Sequence, residues 1–222
     1  MENICENLKK IKQELEILNP NVKLMAVSKN FSYLAVKKAY ECSQKIFGEN
    51  RVQEAIEKIE LAKADNLDIQ WHLIGHLQLN KAKKAVSYFD YIDSVDSIEL
   101  AEKLDKYAQA QNKIINIMLE INIANDPKKF GFSKNEVSDA AKRIVNFENL
   151  KLYGLMCIGP QAQESEIRKA FRDMKSIFED LKKSICPTLS ELSMGMSDDF
   201  RIAIQEGSTI IRIGRGIFGE RT

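Results

Sequence analysis

The feature that most limits what this chain can fold into is an alternation. Short apolar runs rich in β-branched residues recur along it, and a longer segment of helical period fills every gap between them. An amphipathic segment, residues 2–18, comes first. The strand-like runs are "KLMAVSK" (23–29), "KIFGEN" (45–50), "IQWHLIG" (69–75), "YIDSVD" (91–96), "IINIMLEINI" (114–123), "LKLYGLMCIG" (150–159), "ELSMGMS" (191–197) and "TIIRIGRGIFG" (209–219). The segments between them, at 32–42, 51–64, 80–89, 97–111, 134–146, 164–183 and 198–207, carry helical periodicity. Strands separated by helices run parallel, because each return needs a crossover. Eight such units are what a closed (β/α)₈ barrel uses. The expected fold is therefore α/β: a single (β/α)₈ TIM barrel over residues 1–222, with an extra N-terminal helix covering the wall after the eighth strand. A doubly wound open sheet is the alternative, but no G-x-G-x-x-G follows the first run.

Composition narrows the function classes. The 33 basic and 32 acidic residues leave a formal net charge of +1, so no strong field points to nucleic acid or an anionic membrane. The basic run "NKAKK" (80–84) reads as one solvated helix face. No apolar run reaches the roughly 18 residues a membrane span needs. The charged N-terminus lacks the apolar stretch of a signal peptide. Cys5, Cys42, Cys157 and Cys186 form no CxxC and no zinc spacing, so reduced thiols in a cytoplasmic protein are expected.

In a barrel, chemistry gathers at the C-terminal ends of the strands. Read alone, those ends give Lys29, "GEN", "HLIGH", "SVDS", "INIAND", "MCIGP", "SMGMS" and "RIGRG", rich in glycine and polar groups. "MGMSDD" puts Ser197 at a strand-to-helix turn as an expected N-cap, with Asp198 and Asp199 in the first turn. "RIGRG" puts Gly214 and Gly216 around Arg215, where backbone N–H groups can approach an anion closely. The loops after strands 7 and 8 are the usual phosphate site of this architecture. Glycines that merely permit tight turns are the plainer reading; Ser197, Arg215 and both loops together favour a phosphate.

Lys29 stands at the end of a run suited to burial. A desolvated lysine near another cation becomes nucleophilic, and its natural partner is an aldehyde. Lysine plus phosphate cradle points to a phosphorylated aldehyde: pyridoxal phosphate, or the sugar phosphate of a Schiff-base aldolase. A lysine snorkelling from a strand end is the plainer alternative. Arg212 sits among isoleucines and shares a strand face with Gly214. Its guanidinium needs an acceptor, either a pyridine nitrogen or a buried carboxylate such as Glu120 or Glu49. His72 and His76 form HxxxH across a strand end. That spacing pairs imidazoles only on a helix, so no metal is expected. Trp71, Phe89, Phe130, Phe171 and Phe178 sit at core-like positions.

"AVSK" (26–29), "FGENRVQEA" (47–55), "WHLIGHLQLNK" (71–81), "SVDS" (94–97), "GLM" (154–156), "LSMGMSDDF" (192–200) and "IRIGRGIFGER" (211–221) together closely resemble the YggS/PROSC family of pyridoxal-phosphate homeostasis proteins. The resemblance covers nearly the whole chain. It implies the barrel of fold-type III enzymes such as alanine racemase, with pyridoxal 5′-phosphate as a Schiff base on Lys29. It further implies that Ser197 and the backbone at Gly214 and Arg215 hold the phosphate, that Arg212 faces the pyridine nitrogen, and that Asn50 and His72 line the cofactor's rim. Arg215 departs from the pattern, which commonly has a hydroxyl residue there, and "KFGF" (129–132) is a looser match.

The resemblance implies a carrier that takes part in intracellular vitamin B6 homeostasis, with apo pyridoxal-phosphate-dependent enzymes as candidate partners, rather than a robust enzyme. Racemisation needs two bases, and the residues are spent on the barrel. An arginine at the pyridine nitrogen also makes the ring a poorer electron sink. A weak amino-acid racemase is the alternative. A monomer is expected.

Overall fold

The computed structural model describes residues 3–219. Glu2 of the expected opening helix, and Glu220 and Arg221 of the "IRIGRGIFGER" run, lie outside the described residues. Helix α1 (Ile4–Leu18) opens the chain. Then follow β1 (Lys23–Val27), α2 (Tyr33–Glu41), β2 (Ile46–Glu49), α3 (Val52–Ala64), β3 (Gln70–Leu73), a 3₁₀ turn (Leu79–Lys81) running into α4 (Ala82–Tyr88), and β4 (Tyr91–Val95). The second half is α5 (Ile98–Gln109), β5 (Ile115–Ile121), α6 (Val137–Ile144), β6 (Leu150–Cys157), α7 (Glu164–Ser184), β7 (Glu191–Ser193), α8 (Phe200–Gln205), β8 (Ile210–Ile213) and α9 (Arg215–Phe218).

The strands pair in chain order, all parallel, and β8 closes on β1 through registers such as Met25↔Arg212. The barrel is closed, as the alternation predicts. Each helix turns one apolar stripe to the sheet: α7 buries Phe171, Met174, Phe178 and Leu181, spaced by three or four residues, with Ala170 beside them. The Ser97 hydroxyl caps α5 by accepting the Leu100 N–H at 3.2 Å. Two apolar layers result. The larger lies between strands and helices; the smaller fills the barrel with Met25, Met118, Tyr153, Met156 and Ile210. Tyr153 and Met156 are an odd step apart yet share the interior, because the β5–β6 register shifts between Ile117 and Met118 and leaves one extra residue on β6.

Helix α1 buries Ile4, Leu8 and Leu15 against the wall. It packs on α2, α8 and α9, where Asn7 Nδ2 donates to the Ile217 carbonyl at 3.1 Å. It thus covers the wall after β8, as expected.

Three expectations need correction. The last two strands are shorter than their apolar runs: β7 ends at Ser193 and β8 at Ile213, and "RGIF" is a helical turn. Gly195 at φ +95° turns the chain out of the sheet after β7. The cysteines are not all thiols. Cys5 and Cys42 are joined as a disulfide, their Cα atoms 5.5 Å apart, while Cys157 and Cys186 are free and buried. The two halves of the bridge meet only because α1 lies on α2. Phe130 is 54% exposed and outside the core. No helix among the described residues is long and apolar enough to cross a membrane.

Candidate functional site

A cavity of about 290 Å³ opens at the C-terminal ends of the strands. Lys29, Asn50, Ser197, Arg212, Gly214 and Arg215 all line it, together with apolar groups that include Ile74, Met156 and Ile158. Six of the seven residues singled out in the sequence therefore converge, from the ends of β1, β2, β7 and β8.

Lys29 lies two residues past the end of β1 and is half-buried. Asn50 follows β2 and sits against Gly75: a Cβ there would stand 2.4 Å from the Asn50 carbonyl oxygen, so only glycine permits the approach. The Asn50 Oδ1 is buried and has no hydrogen-bond partner among the described residues. An orphaned buried acceptor costs about 1–3 kcal/mol, which a bound donor would recover.

The two glycine-bearing loops meet. A Cβ built on Gly216 would stand 4.0 Å from Ser197 Oγ. Ser197 is not the N-cap of α8; that position falls to Asp199, whose Oδ1 accepts the Met196 N–H at 2.6 Å. This leaves Ser197 in the cavity wall. In the other loop the Ile217 and Phe218 N–H groups both return to the Gly214 carbonyl at 3.0 Å. The N–H groups of Arg215 and Gly216 start that turn and have no carbonyl four residues back within it. Asp198 lines the mouth and accepts from Arg215 Nη2 at 2.8 Å, so the carboxylate is offset by a cation.

Arg212 is 4% exposed and runs into the barrel beneath the cavity. Its two terminal nitrogens donate to Ser193 Oγ and to the Cys157 carbonyl, each at 2.7 Å. Neither carboxylate considered from the sequence is hydrogen-bonded to it. Glu49 is engaged by Ser28 and Lys58. Glu120 stands near enough for Arg212 to favour its charged form, but burial and the neighbouring Asp96 outweigh that and push its carboxyl up to about 7.

His72 is the correction. It does not reach this cavity. Its Nδ1 lies 2.8 Å from Asp93 Oδ2, and Tyr153 donates to Asp93 Oδ1 at 2.5 Å. The ring stacks on Tyr91 at 4.2 Å and lines the opposite opening of the barrel. Strand alternation puts His72 and Ile74 on the same inward face, and Ile74 is the one at cavity level. His76 pairs separately with Asp96 at 2.6 Å and stacks on Phe130 at 3.6 Å.

One residue that sequence reasoning passed over is Lys58, which is 5% exposed and donates to the Ser28 carbonyl, next to Lys29, at 2.8 Å. The available signal was its place on the apolar face of α3, between Ala55 and Ile59.

Fold and site together define a parallel barrel whose polar mouth combines a lysine with two glycine-bearing turns. The chain matches the family described as "Alanine racemase, N-terminal domain" over residues 1–222. It is 39% identical over 220 residues to the pyridoxal phosphate homeostasis protein of Pasteurella multocida, covering 98% of this chain and 94% of that one. With the protein of that name from Escherichia coli K12 it shares 34% over 232 residues, covering 100% and 98%. The solved structure of PipY from Synechococcus elongatus with PLP bound superposes with a TM-score of 0.89 at 38% identity, over 97% of this chain and 100% of that one. Alanine racemase of Clostridium difficile, 18% identical, covers 99% of this chain with 56% of its own; its TM-score of 0.79 is a likeness of fold. The chain belongs to the pyridoxal phosphate homeostasis protein family.

Proposed function

We propose that this protein carries pyridoxal 5′-phosphate on Lys29 as a Schiff base and serves its supply inside the cytoplasm, as a monomer, to apo enzymes that need it. The observation that supports this most is the convergence of Lys29, Asn50, Ser197, Arg212, Gly214 and Arg215 on one cavity. The residues fit the group. Lys29 offers an amine; Ser197 and the turn at Gly214 and Arg215 offer donors for a phosphate; Asn50 Oδ1 lacks a partner. Arg212, the most buried of the six, would face the ring. The relative with PLP bound adds weight.

When bound, the cofactor supplies an aldehyde that condenses with the lysine amine. Around it the chain binds and orients rather than turns over. Among the described residues, the one carboxylate lining the cavity is Asp198, and it is paired with Arg215. Racemisation would need a second base on the opposite face, and His72, one candidate by residue type, lines the other end of the barrel.

The test is an absorbance spectrum of the purified protein before and after borohydride, with the labelled peptide mapped. A visible band that borohydride bleaches, with label on Lys29, is expected. A protein that takes up no added pyridoxal phosphate refutes the reading.

A further inference from the structure

The turn that carries Lys29 is held from both sides by one buried lysine on a neighbouring helix. The Lys58 Nζ donates to the Ser28 carbonyl at 2.8 Å, to Glu49 Oε1 at 2.8 Å and to Glu54 Oε1 at 3.1 Å. All three ammonium donors are used. Glu49 Oε1 also accepts from Ser28 Oγ at 2.6 Å, and Glu54 Oε1 accepts the Asn30 N–H at 2.5 Å. The residues before and after Lys29 are thus both tied to Lys58, directly or through one carboxylate. Asn30 is held at φ +66°, a left-handed conformation that asparagine tolerates better than most residues. The next residue, Phe31, donates its N–H to the Ser28 carbonyl at 3.1 Å and stacks on Phe218 at 4.9 Å.

The cluster is a poor device for stability alone. Lys58 and Glu49 are 5% and 0% exposed, and Glu49 Oε2 has no partner among the described residues. Buried ion clusters of this kind commonly match or trail a well-packed apolar replacement. What this one accomplishes is geometric: it fixes a three-residue turn whose middle residue points into the cavity. Preorganised placement of a reacting group is a recognised source of rate.

We propose that Lys58, with Glu49 and Glu54, is a positioning residue that holds the Lys29 turn in the geometry for attack on the aldehyde of a phosphorylated pyridine. The inference rests on the function proposed above. In the step, the Lys29 amine nitrogen bonds to the aldehyde carbon, that carbon's oxygen leaves as water, and a C=N bond remains. No electrons are exchanged with another reagent.

The experiment uses the full chain stripped of cofactor, as wild type, Lys58→Met and the milder Glu54→Ala, which keeps the buried Lys58–Glu49 pair. Three quantities are read: hydrogen exchange of residues 28–31 against 210–218, the rate of Schiff-base formation with pyridoxal phosphate, and the affinity for pyridoxine 5′-phosphate, which has ring and phosphate but no aldehyde. In both variants, exchange at 28–31 should rise about tenfold or more while 210–218 stays within twofold. Schiff-base formation should slow about tenfold or more, with analogue affinity within twofold of wild type. A merely structural role would weaken analogue binding in step with Schiff-base formation, and that result overturns the inference. Wild-type rates in the variants overturn it while leaving the proposed function standing. A wild type that forms no Schiff base overturns both. If Lys58→Met does not fold, Glu54→Ala decides alone.

Discussion

Arg212 and Ser193 are hydrogen-bonded inside the barrel, Nη1 to Oγ at 2.7 Å, where β7 and β8 lie side by side. The guanidinium is therefore fixed before any ligand arrives. Arg215, by contrast, is half-exposed and its partner Asp198 is more exposed still.

That difference ranks two substitutions. Arg212→Ala strands the Ser193 hydroxyl and the Cys157 carbonyl in a buried site, at about 1–3 kcal/mol each. Arg215→Ala removes a rim ion pair worth about 0–1 kcal/mol. Cofactor remaining after exhaustive dialysis should fall further in Arg212→Ala than in Arg215→Ala. Equal occupancy in the two variants and wild type would sink the ranking.

Asn50 offers a test in which stability and binding part company. Its buried Oδ1 has no partner among the described residues. Asn50→Ala removes that unsatisfied acceptor, so the cofactor-free protein should be as stable as wild type or more so, by up to about 1 kcal/mol. The gain in melting temperature on adding pyridoxal phosphate should shrink. Thermal melts with and without cofactor check both halves. A clear loss of stability in the cofactor-free variant would contradict the reading of Oδ1 as held ready for a ligand.

Glu120 gives the fold a pH dependence. Burial first, then Asp96, push its carboxyl from 4.5 to about 7, with Arg212 opposing. A carboxyl raised in the folded state favours folding below its unfolded value and loses that contribution as pH rises through about 7. The shift corresponds to about 3 kcal/mol above pH 7. Glu120→Gln should therefore stabilise the cofactor-free protein at pH 8 and change little at pH 5. Denaturant midpoints at the two pH values measure this; equal effects at both would falsify it.

The fold was legible because burial imposes two periods on the sequence, and these alternate without a gap from Lys23 to Ile213. The mouth was legible because polar and glycine residues interrupt those periods at strand ends. What period cannot give is depth. Alternation assigns His72 and Ile74 to one inward face, but only the barrel's tilt and stagger decide that Ile74 meets the cavity and His72 the opposite opening. Period also treats a charge on a helix as solvated, which hid Lys58 beneath the Lys29 turn. The apolar content of "RIGRGIFG" read as strand, while its glycines let the chain coil back at Arg215–Phe218.

Cys5 and Cys42 escaped the reading for a related reason: 37 residues separate them, and only the docking of α1 on α2 brings them together. The bridge predicts a thiol count. Unfolded without reductant, the protein should offer two thiols to an alkylating reagent, Cys157 and Cys186, and four after reduction. Closing a loop of this length limits the unfolded chain by about 4 kcal/mol in the chain-entropy model. Reduction, or Cys5→Ser, should therefore lower the unfolding midpoint, with Cys42→Ser giving the same loss and the double variant no more than either alone. Four reactive thiols before reduction, or additive losses in the double variant, would rule out the bridge as the tie that holds α1 to α2.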